Sequence, residues 1–186
     1  MREDRELQGA AVEAEAEGQR GLLAGQDAAT AFEEAARLYR RSWEVAPPGA
    51  YGRLVGMLKA AIIAGEGEEF AAYALGQLAD GEGPTASYAR ALAALLTGDD
   101  DGTAAAAAAM HEGGEAFARA ADALAALADG DREAYARAVA AVVADFEARE
   151  LHLTGVPFAD TALMLEKLAE PRGLAAHPSS RLLPPL

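Results

Sequence analysis

Apolar residues recur along this chain at steps of three and four. Phe32, Ala36, Tyr39 and Trp43 form one such stripe, and Tyr51, Leu54, Leu58 and Ile62 the next. Further stripes are Tyr88, Leu92 and Leu95; Phe117, Ala121 and Leu124; Tyr135, Val139, Val142 and Phe146; and Phe158, Ala162, Leu165 and Leu168. That spacing places one buried face on each of a succession of amphipathic helices, and no two-residue alternation competes with it. A long first helix, Arg2 to Leu23, precedes them. Glycine and proline at Gly25, Pro47-Pro48, Gly65, Gly81 to Pro84, Gly98, Gly113-Gly114, Gly130 and Gly155 to Pro157 separate the helices, about nine in all.

Alternate breaks share a pattern. Leu22-Leu23-Ala24-Gly25-Gln26, Ile62-Ile63-Ala64-Gly65-Glu66 and Leu95-Leu96-Thr97-Gly98-Asp99 each carry an apolar pair, a spacer, a glycine and a polar residue, and Leu127-Ala128-Asp129-Gly130-Asp131 is a looser copy. Their glycines lie 40, 33 and 32 residues apart. Such a period is expected of helix-turn-helix units, each burying a face against the next. Glycine suits the left-handed residue that closes one helix, and the acid after it suits the start of the following one. The predicted fold is all-α: antiparallel helical hairpins stacked in a short array, one domain over 1–176 with an extended tail over 177–186.

The segment from Ala31 to Pro47 resembles the second helix of a tetratricopeptide repeat. Ala35, Tyr39, Ser42 and Pro47 stand where that motif has a small residue, an aromatic, a second small residue and a terminating proline. Ala72, Ala79 and Pro84 repeat it more faintly, with Gly76 in place of the aromatic. The first-helix pattern of the family is missing. The resemblance implies a tetratricopeptide-like array whose concave surface recognises a protein. The last third, with its acidic-aromatic helix from Tyr135 to Glu150, Leu168 to Leu174 and a close in Leu182-Leu183-Pro184, resembles the C-terminal end of the immunity protein 49 family. That resemblance implies a helical antidote to a bacterial toxin.

Composition narrows the classes of function. The chain has 186 residues, no cysteine and only 6% aromatics, which excludes a disulfide framework and thiolate metal sites. Its N-terminal residues mix both charge signs and its apolar runs are short, so neither a secretion signal nor a membrane span is expected and the cytoplasm is the default location. A formal charge of -14 would repel nucleic acid and anionic lipid, which makes a basic protein partner the better fit.

Antiparallel helices in sequence order would gather alternate loops at one end of the array. Asp27, Glu66, Glu68, Glu69, Asp99, Asp100, Asp101, Asp129 and Asp131 would collect there, and all but Asp27 are the candidate partner-binding residues. Helix capping also wants acids at these places. Trp43, Tyr39 and Phe32 share a face that suits core packing or a concave groove.

Candidate chemistry is sparse. Asp99-Asp100-Asp101-Gly102 lacks the alternating ligands and distal glutamate of a calcium loop. His111, His152 and His177 form no zinc-binding pair. Asp145, Glu147, Glu150 and His152 read as a solvated polar face of the helix whose other side carries Val139, Val142 and Phe146. No nucleophile elbow or phosphate loop occurs. The sequence therefore assigns no catalytic residue, no cofactor and no metal. It predicts a non-enzymatic protein-protein interaction module, in its sharpest form an immunity protein, with homodimer formation open. The alternative is a helical enzyme, with His111 or His152 and scattered carboxylates between helices, or a small-ligand-binding protein.

Overall fold

The computed structural model describes residues 2–185; Leu186, the last residue of the predicted tail, lies outside them. Among the described residues there are nine α-helices and no strand. They are α1 (Glu3–Leu23), α2 (Ala29–Glu44), α3 (Gly52–Ala64), α4 (Gly67–Gln77), α5 (Pro84–Leu96), α6 (Asp100–Met110), α7 (Glu115–Asp129), α8 (Arg132–Glu147) and α9 (Asp160–Ala169). Short 3-10 turns follow α6 and α9, at His111–Gly113 and Glu170–Arg172. The architecture is the predicted helical-hairpin array. None of the described helices is long and apolar enough to cross a membrane.

Four corners of the array share one backbone design. The amide after the glycine donates back to the residue five positions earlier: Gln26 to Gly21, Glu66 to Ala61, Asp99 to Ala94 and Asp131 to Ala126, at 2.9 to 3.0 Å. This bond satisfies a carbonyl that the helix end would otherwise leave bare, and it requires a left-handed residue between. Gly65, at φ +88°, supplies that conformation without a Cβ penalty. The side chains of Asp99 and Asp131 then cap the next helices, accepting from the Gly102 and Ala134 amides at 2.9 Å.

Consecutive helices pack against each other, and α3, α5 and α7 also pack in sequence. Helix α5 is the most enclosed, with Ala86, Ala89, Ala91, Leu92, Ala93 and Leu95 all buried, as a helix with neighbours on several sides requires. Alanine and glycine allow the close approaches. A Cβ on Gly18 of α1 would stand 2.6 Å from the Phe32 ring, and one on Gly56 of α3 would stand 2.8 Å from the Tyr39 ring. Helix α1 packs on its own array, against α2. Its start is pinned by buried Asp4, which pairs with Arg53 of α3 at 2.6 Å and whose carbonyl accepts from Ser42 of α2.

The last helix departs from the stacking order. The chain over 148–159 swings back, and α9 lies against α3, α7 and α8 instead of extending the array. Phe158, read from the sequence as part of the last helical stripe, precedes α9 and packs beside Ala16 and Val156. The tail is strapped over α9: Glu166 accepts from the Ala176 and His177 amides at 3.2 and 2.7 Å. The Leu182 carbonyl accepts from the Ala159 amide at 2.8 Å, with the Leu182 side chain buried.

Candidate functional site

Because α9 returns across the array, its first residues meet α3. Lys59 of α3 stands in an apolar run, between Leu54, Met57 and Leu58 on one side and Ala60 to Ile63 on the other. Its Nζ pairs with Asp160 at 2.5 Å and donates to Thr161 Oγ1 at 3.1 Å, both at the start of α9. Burial pulls the lysine toward its neutral form, but Asp160, Tyr88 and Glu15 outweigh burial and hold it above the usual lysine value. Lys59 therefore stays charged.

Nearby, Glu15 of α1 is 5% exposed and accepts from the Tyr39 hydroxyl of α2 at 2.7 Å. Burial pushes its carboxyl up to about 7; Lys59 opposes that rise and Asp160 adds to it. The Tyr39 hydroxyl is driven far above its ordinary value by burial and then by the Glu15 charge, so the proton stays on the phenol. Glu15 is thus poised to change charge near neutrality, a property that clusters at functional sites.

Two adjoining cavities open around this group. One, of about 150 Å³, is lined by Glu15, Gln19, Lys59, His152, Thr154 and Asp160, among others. The second, of about 120 Å³, is lined by Tyr88, Phe117, Arg119, Val142, Asp145 and Phe146, among others. Phe146, Arg149 and Thr161 border both. Between Arg119 of α7 and Arg149 just past α8 sits a single carboxylate, Asp145, at 2.6 and 2.5 Å. Arg149 also lies 3.7 Å over the Phe146 ring, whose other neighbour is the His152 imidazole at 6.2 Å.

Three buried side-chain atoms among the described residues have no hydrogen bond of good geometry: Tyr88 Oη, which lies beside Thr161, Arg119 Nε and His152 Nδ1. All three residues line these cavities. Buried polar atoms are almost always paired, so these three, beside two adjoining cavities, mark the least satisfied part of the core.

The acids singled out from the sequence lie elsewhere. Glu66, Glu68 and Glu69 border a hollow with Lys167 and Pro171. Asp99 and Asp131 cap helices, and Asp100 pairs with Arg172 at 2.7 Å. Asp101 lies exposed in the first turn of α6, and Asp129 borders a hollow with Asp131 and Arg137. Arg172 also donates to the Leu95 and Leu127 carbonyls, and Arg132 to the Gly173 carbonyl, so these three turns do meet at one end, around the turn after α9. Asp27 caps its own turn, accepting from the Ala29 amide.

Asp145 and His152, read as a solvated face, are partly enclosed and line the cavities, whereas Glu147 is exposed and accepts from Ser180. Glu150 is exposed. His111 faces Asp122 at 3.3 Å on the surface, and His177 sits by Glu166 in the tail. Trp43 stacks on Tyr51 at 5.5 Å and donates to Gln77, a half-buried packing role. Among the described residues no group of three or more His, Asp or Glu side chains is placed to hold a metal ion.

The fold and site define an all-α helical-hairpin array enclosing a small, charged, partly apolar pair of cavities. In comparison with known proteins, the chain matches no family model, no curated protein and no solved structure.

Proposed function

We propose that this chain is a small-ligand-binding protein whose site is the cavity pair between α1, α3, α5, α7, α8 and α9. One observation carries the proposal: three buried polar atoms without a well-formed hydrogen bond all belong to side chains that line those cavities. Concave sites with aromatic walls and a few convergent polar groups are where small molecules bind. An empty apolar cavity of about 150 Å³ holds benzene, and the more apolar compartment here, at about 120 Å³, takes a body no larger than that. The test is a ligand-observed NMR screen of fragments against the wild type and two cavity-filling variants, Ala120→Leu and Val142→Phe, with circular dichroism confirming their fold. Fragments should bind the wild type and lose that binding in the filled variants. If no fragment distinguishes wild type from both variants, the proposal is wrong.

A second reading is a module that holds a basic protein partner as an immunity protein holds its toxin. It draws on the net charge of -14 and on Leu151 and Leu153, 88% and 82% exposed on the segment before α9. Large apolar side chains so exposed suit an interface anchor. Under that reading Leu151→Asp, which lies outside both cavities, abolishes a complex with a co-expressed toxin while fragment binding persists.

A further inference from the structure

Among the described residues, helix α1 packs extensively on α2 only. Its face with Glu15, Ala16 and Gln19 meets the segment between α8 and α9, residues 148–159: Val156 and Phe158 pack on Ala16, and the Thr154 hydroxyl donates to Gln19 Oε1 at 2.5 Å. The segment is fastened at its ends as well, by Arg149 to Asp145 and by Asp160 to Lys59, both at 2.5 Å. Between these points His152, Leu153, Thr154 and Phe158 line the cavity of about 150 Å³, which Glu15 and Gln19 line from α1 and Lys59 from α3. The segment is irregular, its amides held by short turns such as Gly155 to the His152 carbonyl at 2.9 Å. Chain held by so few bonds opens more readily than the helices around it.

Beneath this wall two carboxylates face one lysine. Lys59 gives its hydrogen bonds to Asp160 and Thr161, and Arg149 is engaged with Asp145 and the Phe146 ring. Glu15 receives the Tyr39 hydroxyl of α2 alone among the described residues. The charged and titratable groups around it are Tyr39 from α2, Lys59 from α3 and Asp160 from α9, with Arg149 and His152 of the segment lining the same cavity. A buried carboxyl with one hydrogen bond and a shared counter-ion favours its neutral form. Once the segment lifts, water reaches Glu15 and its charge costs little. Opening therefore releases a proton, and rising pH favours the open state.

We propose that residues 148–159 are a lid over the cavity between α1 and α3, closed while Glu15 is neutral and loosened when it ionises. The window runs from the ordinary 4.5 to about 7, the value to which burial pushes Glu15 in the closed form. Within it each pH unit shifts the balance toward opening by up to about tenfold, and above it the gain levels off. The cavity is thereby sealed in acid and accessible from neutrality upward. The gate works on a cavity filled with water as well, so it does not depend on the small-ligand reading.

The test is hydrogen exchange read by mass spectrometry on the full chain from pH 5 to pH 8, each rate divided by the intrinsic rate of the unfolded chain at that pH. Peptides covering 155–163, whose Gly155, Ala159 and Leu163 amides are hydrogen-bonded, should lose about tenfold or more of their protection across the range while α2 and α5 keep theirs. Glu15→Gln leaves an acceptor for Tyr39 and should hold protection at its pH 5 level throughout. His152→Gln removes the lid's own histidine, the rival group near neutrality, and should keep the wild-type slope. Thr154→Val cuts the middle fastening and should lower protection at every pH without changing that slope. Protection that is flat with pH, that falls equally in Glu15→Gln, that loses its slope in His152→Gln, or that is untouched by Thr154→Val would each overturn the gate. A fall shared equally by α2 and α5 would overturn it too, since the whole chain would then be unfolding. No ligand enters the measurement, so a failed fragment screen leaves its outcome unchanged.

Discussion

The Glu15 carboxyl sits where water scarcely reaches, and its chemistry sets a pH dependence that can be worked out in sign. The groups facing it are Tyr39 of α2, Lys59 of α3 and Asp160 of α9; Gln19, Arg149 and His152 line the same cavity. Its folded value of about 7 lies above the ordinary 4.5. Between those values the folded chain keeps a proton that the unfolded chain releases, so the Glu15 contribution favours folding most below about 4.5 and declines as pH rises to 7. Glu15→Gln removes this dependence. Urea unfolding of the two proteins should show the variant gaining about 2–3 kcal/mol on the wild type between pH 5 and pH 8. A constant difference across that range would mean that Glu15 ionises normally. From the sequence, Glu15 was one of several acids in a strongly charged first helix, and nothing local marked it as buried. Lys59 did carry a signal: it is a lone charge inside an apolar run, and a charge placed there needs a partner. The partner, Asp160, is 101 residues away, so its identity was not legible.

At the scale of helices, the corners were legible because a left-handed glycine, the amide after it and the capping acid are all within a few residues. The close crossing of α2 and α3 was not, since a helix-interior glycine reads as a mere loss of propensity until its neighbour is known. Gly56 lies against the Tyr39 ring, and Tyr39 is the group that holds Glu15. Gly56→Ala would ordinarily add about 1 kcal/mol to a helix. Here the added methyl displaces the ring, and thermal denaturation should show net destabilisation, with Glu15 losing its hydrogen bond. Gly9, with open space around its Cβ position, is the control: Gly9→Ala should stabilise. A Gly56→Ala protein as stable as the wild type would show that α2 and α3 can move apart freely.

For the whole molecule, the decisive event is the return of α9 over the face made by α3, α7 and α8. Periodicity located that helix but could not direct it, because its apolar stripe fits a continued stack as well as a closed one. The Lys59–Asp160 pair ties the two arrangements apart, and removing one partner strands the other in a mostly dry place. Lys59→Met should cost about 3 kcal/mol, and Lys59→Met with Asp160→Leu should recover part of it. Hydrogen exchange should accelerate in α9 and in the tail residues 174–182 that Glu166 and Ala159 hold, ahead of α1 to α3. Uniform acceleration across all helices would instead mean that α9 does not open separately.

The chain has only two lysines, Lys59 and Lys167, and they differ in accessibility: Lys167 is 41% exposed while Lys59 is 15% exposed in its ion pair. Of the two lysines, an amine-reactive reagent therefore finds Lys167 at once and Lys59 only when the last helix lifts. Timed acylation of Lys59, read by mass spectrometry against Lys167 as an internal standard, becomes a stopwatch for that single motion, and an occupant between the helices should slow it.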